Sequence, residues 1–415
     1  MDVKSLQAKR DELFLKPSSS MVNGTVVIGL AGAALLAYGL FEGMAPRVWS
    51  ALLLNVFFFY SIALGGIAFS GMQDVVGAVW GRPIKRLHES FASFIPVGTV
   101  FFLVFLACLW FDIFQARDVF PWMKNPAMVE HFPGKNVWLQ PWFLVLRDVF
   151  AVLVVYALSA WQLSRSTLRD KFFLKSGDCA ETTQRALLAR DQLRYWSAPI
   201  LFCYAMCYSL LGFDLLMSLA PTWFSTLWGG WLFSIMMQTL MASILLFLFI
   251  LKGTSIGSAY GQQQFHDIGK MMHGFSIFFA YLTYAHILTY WYGNVPEETE
   301  YFIERLVGPW FWIVCIAPLF NFVIPLYVLL FKAAKWTGIV AVPLALMILI
   351  AQWFVYVLVV IPSIDGHHWT ASYLDVGGLA LILGLFLGSV IYFGRNNVMV
   401  GIADPLLPES YELGH

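Results

Sequence analysis

The sequence predicts an all-α integral membrane protein with ten transmembrane helices, and three observations predict it. First, ten stretches of 19 or more mostly apolar residues run through the 415-residue chain. Each is long enough to cross a hydrocarbon core of ~30 Å as a helix, the one open-chain structure that satisfies its own backbone where water is absent. Second, 60% of residues are hydrophobic and only 12% charged, with a mean hydropathy of +0.72. Soluble domains carry about 25% charged residues. Third, the cations are sided: 19 of the 25 lysines and arginines fall in the N-terminal segment, every second connection and the C-terminal tail. The positive-inside bias therefore predicts that both termini are cytoplasmic.

In chain order the spans are expected at 22–40, 48–70, 91–113, 142–164, 195–219, 227–251, 270–292, 308–331, 337–361 and 374–393. Residues 1–20 read as a cytoplasmic segment in which Leu6, Leu13, Phe14 and Leu15 predict a short surface helix. No small-residue cleavage site follows a short apolar core, so the first span is read as retained. Residues 21–394 form the membrane domain and 395–415 a cytoplasmic tail. The outer connection 114–141 is rich in proline and aromatic residues and reads as an ordered surface suited to docking partners. The inner connection 165–194 mixes Arg and Lys with Leu168, Phe172, Phe173, Leu187 and Leu188, the pattern of an amphipathic interfacial helix.

A short repeat runs through the chain. Gln140-Pro-Trp-Phe opens the fourth span and Gly308-Pro-Trp-Phe the eighth, and Asp214 with Trp223 is echoed by Asp365 with Trp369. If the repeat is real, spans 2–5 and 6–9 are two parallel four-helix bundles, with spans 1 and 10 flanking them. Chance remains the alternative for matches this short.

No redox centre is expected in this chain. Cys108, Cys179, Cys203, Cys207 and Cys315 show no Cys-x-x-Cys spacing, which argues against clusters and attached haem. His273 and His286 are the histidines expected inside spans. Thirteen residues separate them, about 220° around a helix, so they face different ways at different depths. No metal site is expected.

Ionisable residues inside spans are costly and mark pairs or paths. Asp214, near the outer end of the fifth span, stands first, and Asp112, at the end of the third, second. His286 shares a polar stripe with Thr283, Thr289 and Tyr290. His273, beside Lys270 and Asp267, lies near the inner surface as a possible proton entry. Asp214, His286, Asp112, His273, Tyr290 and Thr283 are thus the proton-path candidates, against the plainer reading that each caps a helix or packs. Arg147 and Asp148 are expected to pair with loop groups, a structural role.

Asp267-Ile-Gly-Lys-Met-Met-His-Gly-Phe, Tyr281, the run Trp291-Tyr-Gly-Asn-Val-Pro-Glu-Glu-Thr-Glu-Tyr-Phe and Arg305 resemble the large membrane subunits of alternative complex III, within the NrfD/polysulfide-reductase membrane-anchor family. Phe213-Asp214 followed by Pro221-Thr-Trp-Phe-Ser-Thr is similar to a second family marker. The chain's length is similar to that of the smaller of the two such subunits. The resemblance implies a bacterial cytoplasmic-membrane subunit of a quinol:electron acceptor oxidoreductase, itself non-catalytic and cofactor-free. It also implies partners: a paralogous membrane subunit, and iron–sulfur and cytochrome c subunits carrying the clusters and haem c. Quinone binding here is possible under the resemblance, although the family's quinol site is attributed to the larger paralogue, and proton conduction is the other implied role. No nucleic-acid partner is expected. Two other readings compete: the quinol-site paralogue itself, and a stand-alone proton-coupled secondary transporter. The spans lack the paired broken helices that many transporters show.

Overall fold

Nine helices among the described residues are long and apolar enough to cross a membrane, which makes the chain a multi-pass, all-helical membrane protein. The structure is a computed structural model describing residues 3–130, 133–177, 179–365 and 372–412. The nine are α1 (Ser19–Phe41), α2 (Ala45–Val75), α3 (Lys85–Phe111), α4 (Pro141–Ser176), α5 (Ala180–Leu219), α6 (Trp228–Leu251), α8 (Trp310–Val328), α9 (Gly338–Ile364) and α10 (Tyr373–Asn396). Between them α7 (Gln262–Gly293) has 32 residues, about 48 Å at 1.5 Å per residue. It is longer than most of the nine and less apolar.

α2 is the axis of the molecule. Its sequence is apolar on every side, the pattern of a helix buried all round, and nearly all of its residues are buried. It packs against α3, α4, α5, α6, α9 and α10. Asn55 ties α2 to α9 and α10: its amide donates to Ala51 O at 2.7 Å and Asp375 O of α10 at 3.4 Å, and its oxygen accepts from Trp353 Nε1 of α9 at 2.8 Å. α3 packs on α4 and α4 on α5; α6 packs on α7 and α9, and α8 on α9 and α7.

α1 lies against α10 backbone to backbone. A Cβ on Gly32 would sit 2.3 Å from the Leu381 nitrogen, and one on Gly384 would sit 2.8 Å from Gly29 Cα. Small residues permit that approach where lipid supplies no hydrophobic drive of its own.

α8 is broken. Pro318 and Pro325 flank a π-helical turn, Leu319–Val323. Buried Gln238 of α6 meets the break, donating to Asn321 O at 2.7 Å and Ser276 Oγ at 3.0 Å, while Gln352 Nε2 donates to Gln238 Oε1 at 2.6 Å. Side-chain amides thus serve a backbone carbonyl that the α-helical ladder leaves out.

Three local expectations are corrected. The 165–194 connection is not a separate interfacial helix: α4 continues to Ser176 and the next helix begins at Ala180, forming a hairpin. Arg, Lys, Leu and Ala favour helix whether in lipid or water, and the chain first turns at Gly177, whose φ is +70°. The N-terminal segment does form a short helix, Val3–Ala8, but Leu6 and Leu13 are buried at 1% exposure, so it packs on the protein rather than lying at its surface. The third span ends at Phe111, and Asp112 caps it in the left-handed region. Trp369 of the repeat lies outside the described residues.

The end of the molecule that carries both termini is sealed by charge. Four cations (Arg82, Lys85, Arg86, Arg169) meet four carboxylates (Asp74, Glu89, Asp170, Asp404), none more than 6% exposed. Arg82 reaches Asp74 at 2.8 Å and Asp404 at 3.5 Å, and Lys85 reaches Asp74 at 2.5 Å. Arg86 reaches Glu89 at 2.5 Å and Asp170 at 2.6 Å, and Arg169 reaches Asp404 at 3.1 Å. Ser70 and Ser166 donate to Glu89 Oε1. The 397–412 segment is therefore anchored rather than a loose tail: Val398, Val400, Ile402 and Leu407 are buried, and Tyr411 donates to Ala259 O. Burial works against the Asp404 charge, but Arg169, Arg82 and Lys85 hold this carboxyl well below the usual carboxylate range.

Candidate functional site

The opposite end of the molecule is built differently. Pro141 starts α4 at a position where its missing N–H costs nothing. That sets Arg147 and Asp148 in the second and third turns, level with Asp214 near the end of the antiparallel α5 helix. Arg147 Nε donates to Asp214 Oδ2 at 2.6 Å, and Trp138 Nε1 donates to Asp214 Oδ1 at 2.9 Å. The Arg147 guanidinium lies 3.9 Å over the Trp138 ring and 4.6 Å over the Phe143 ring. Arg147 Nη1 also donates to Trp138 O at 3.1 Å.

Asp148 faces the Asp214 carboxyl. Both residues are wholly buried, and neither Asp148 oxygen has a hydrogen-bond partner among the described residues. Two carboxyls thus share one guanidinium. The expectation that Arg147 and Asp148 pair with loop groups holds in part: Arg147 engages Trp138 of the outer connection, but its ionic partner is Asp214 on the neighbouring helix, and Asp148 faces Asp214 rather than the loop.

A cavity of about 480 Å³ opens beyond Trp223, between α6, α7, α8, α9 and the helix Pro296–Leu306. Its walls are aromatic. Trp223 stacks on Tyr301 with ring centres 4.1 Å apart and planes within 9°. Arg305 lies 3.5 Å over the far side of that assembly, and it donates to Leu358 O at 2.8 Å and Val359 O at 3.3 Å. It therefore satisfies carbonyls near the end of α9, where a cation is favoured.

His286, Thr283 and Tyr290 line this cavity from one face of α7, while Thr289, the fourth member of the stripe, is exposed and bonds Ala285 O. Thr283 Oγ1 accepts from Trp231 Nε1 at 2.9 Å and donates to Phe279 O at 2.8 Å. Tyr290 donates to Phe224 O. The His286 ring lies 6.3 Å from Trp223 and 6.0 Å from Trp231, and its buried Nε2 has no partner among the described residues.

Trp223 also lines a smaller cavity of about 210 Å³, with Lys135 and Trp138, that separates the carboxyl pair from the aromatic cavity. Lys135 donates to Pro221 O at 2.7 Å and Trp223 O at 3.2 Å. Burial pulls its ammonium below the usual lysine range, with Glu298 opposing.

The six sequence candidates therefore divide. Thr283, His286 and Tyr290 share one cavity, and Asp214 lies on the other side of the Trp223 wall. Asp112 lies apart, exposed, its Oδ1 accepting from the Arg117 backbone at 3.3 Å, which is the plain capping role. His273 lies about 20 Å along α7 from His286 and lines neither cavity. Asp148, Trp138, Trp231 and Trp223 were not singled out as site residues. A second buried histidine, His88, sits in α3 with Nδ1 2.9 Å from Gly66 O, outside the span expected at 91–113. Among the described residues no three His, Cys, Asp or Glu side chains converge as metal ligands. No family model matches the chain, and no curated protein matches it.

Proposed function

We propose that this chain is a non-catalytic integral membrane subunit of a quinol-oxidising electron-transfer complex of the alternative complex III type. In this reading it crosses a bacterial cytoplasmic membrane ten times, with α7 as the tenth crossing and both termini cytoplasmic. Helices α2–α5 and α6–α9 then form two four-helix bundles flanked by α1 and α10, an arrangement that the helix contacts support. The sequence markers between Asp267 and Arg305 supply the family, and that stretch builds α7 and one wall of the aromatic cavity.

The observation that carries the functional half is the buried Asp148–Asp214–Arg147 group. A bilayer-depth helix pays several kcal/mol for an ionised carboxyl, and a packing role needs none. Two carboxyls on one guanidinium make a proton-exchange site at the outer end, and the chain's contribution to turnover is to take up or deliver protons there. Iron–sulfur clusters and haem c belong to partner subunits in this account. A second reading is favoured by the aromatic cavity alone: a ring-bearing, membrane-soluble ligand such as a quinone would stack between tryptophans with a carbonyl toward His286 Nε2.

The test is purification of the tagged chain after mild extraction, followed by assay of the Asp214→Asn variant. The proposal expects co-purified haem and iron–sulfur subunits, normal assembly of the variant and reduced quinol oxidation or proton uptake. A chain that purifies alone and catalyses proton-coupled solute uptake would instead establish the transporter.

A further inference from the structure

A groove of about 310 Å³ runs along the outside of α4 at the end of the molecule that carries the termini. Tyr156, Ser159, Ala160, Ser164, Thr167 and Lys171 line it at helical spacing, so one face of α4 forms its wall over about 22 Å. Ala92, Ser93 and Pro96 of the α3 region and Phe393 and Asn397 of α10 close the other side. Small side chains leave the space and hydroxyls make it polar, on a surface otherwise apolar.

The groove is also charged, with one sign. Lys171 is its single ionisable cation and no carboxylate lines it. Two positions earlier Arg169 turns inward and is neutralised by Asp404, and Asp170 is held by Arg86. Lys171 is exposed and pairs with no carboxylate among the described residues. Asn397 adds a directional group: its Nδ2 donates to Phe393 O at 3.1 Å, while its Oδ1 is buried and has no partner among the described residues.

We propose that this groove binds a glycerophospholipid of the adjacent leaflet. Its phosphate sits on Lys171, a hydroxyl or ammonium of its headgroup donates to Asn397 Oδ1, and an acyl chain follows the small-residue wall toward Tyr156. A cation at the level of the headgroups attracts anionic lipid, and the groove's length matches a headgroup with most of one chain. The proposal rests on the membrane reading of the long helices and is independent of the quinol-oxidising reading.

The purified, delipidated full chain is titrated with dioleoyl-phosphatidylglycerol, inorganic phosphate and dioleoylglycerol, with native mass spectrometry as the readout. Phosphatidylglycerol is expected to bind saturably at one site and the other two probes far more weakly. Lys171→Gln should weaken that binding about two- to fivefold, the size of one exposed charge pair. Ala160→Leu, which fills the groove from an exposed position, should weaken it further, and Lys175→Gln, off the groove, should leave it unchanged. Wild-type binding by both Lys171→Gln and Ala160→Leu overturns the proposal. So does inorganic phosphate competing on equal terms with the lipid, which would make this a free-phosphate site.

Discussion

The two ends of this molecule handle buried charge in opposite ways. At the end bearing the termini, four cations and four carboxylates neutralise one another in a closed network. At the other end, two carboxyls face one guanidinium, one carboxyl has no hydrogen-bond partner among the described residues, and cavities of about 210 and 480 Å³ lie beyond Trp138 and Trp223. A network in which every charge meets an opposite charge fixes structure, and removing any member leaves a stranded charge. A buried charge left unmatched is where proteins give up stability for chemistry. Under the proposed function, the ionic end holds the fold and the aromatic end does the chemistry.

The largest effect should come from Arg86→Met. It strands Glu89 and Asp170 together, and breaking a buried pair from one side costs about 3–5 kcal/mol. Thermal unfolding in detergent measures it, and a change below 1 kcal/mol would erase the distinction between the ends. Asp404→Asn should come next, releasing the 398–412 segment from Arg169 and Arg82, with faster amide exchange there and little elsewhere.

Acid makes the same point without mutation. The Asp404 carboxyl is depressed in the folded protein, so its stabilisation is complete above the unfolded value of about 3.9 and is lost as pH falls through the lower folded value. A fluorophore at exposed position 409 should stay immobile from pH 7 to about pH 5 and gain mobility only below about pH 4. Loss of docking near pH 6 would mean that another group governs it. The smallest effect should be that of His286→Leu, within about 1 kcal/mol, because no hydrogen bond is lost at Nε2; a large destabilisation would make that ring part of the scaffold.

Much of this was legible in the chain, and the limits have physical causes. Apolar length located the long helices, since burying a backbone in lipid leaves little alternative to helix. It did not locate their ends: α4 and α5 run past the membrane because Lys, Arg and Gln are good helix formers in water. The stripe Thr283, His286 and Tyr290 was legible because residues three and four apart share a face. The tryptophans opposite it come from other elements, and no spacing reveals them. Asp214 stood out as a carboxyl in a span, whereas its neighbour Asp148 was read as a loop partner because depth alone does not say what a side chain faces. The inner cations were counted for topology, which weighs their sign and ignores their partners. Asp112 misled for a related reason: a shift of two residues in the helix end moved it from lipid depth to an exposed cap.

Asp148→Asn tests the central claim most directly, because it removes one titrating group and keeps the shape. In the purified complex its melting temperature and its quinol turnover with proton uptake are measured on the same preparation. The account predicts a melting temperature unchanged or higher, with turnover or proton uptake reduced at least about tenfold, the scale of a lost proton-transfer group. Normal turnover with normal proton stoichiometry, or a fall in stability as large as that of Arg86→Met, would contradict it.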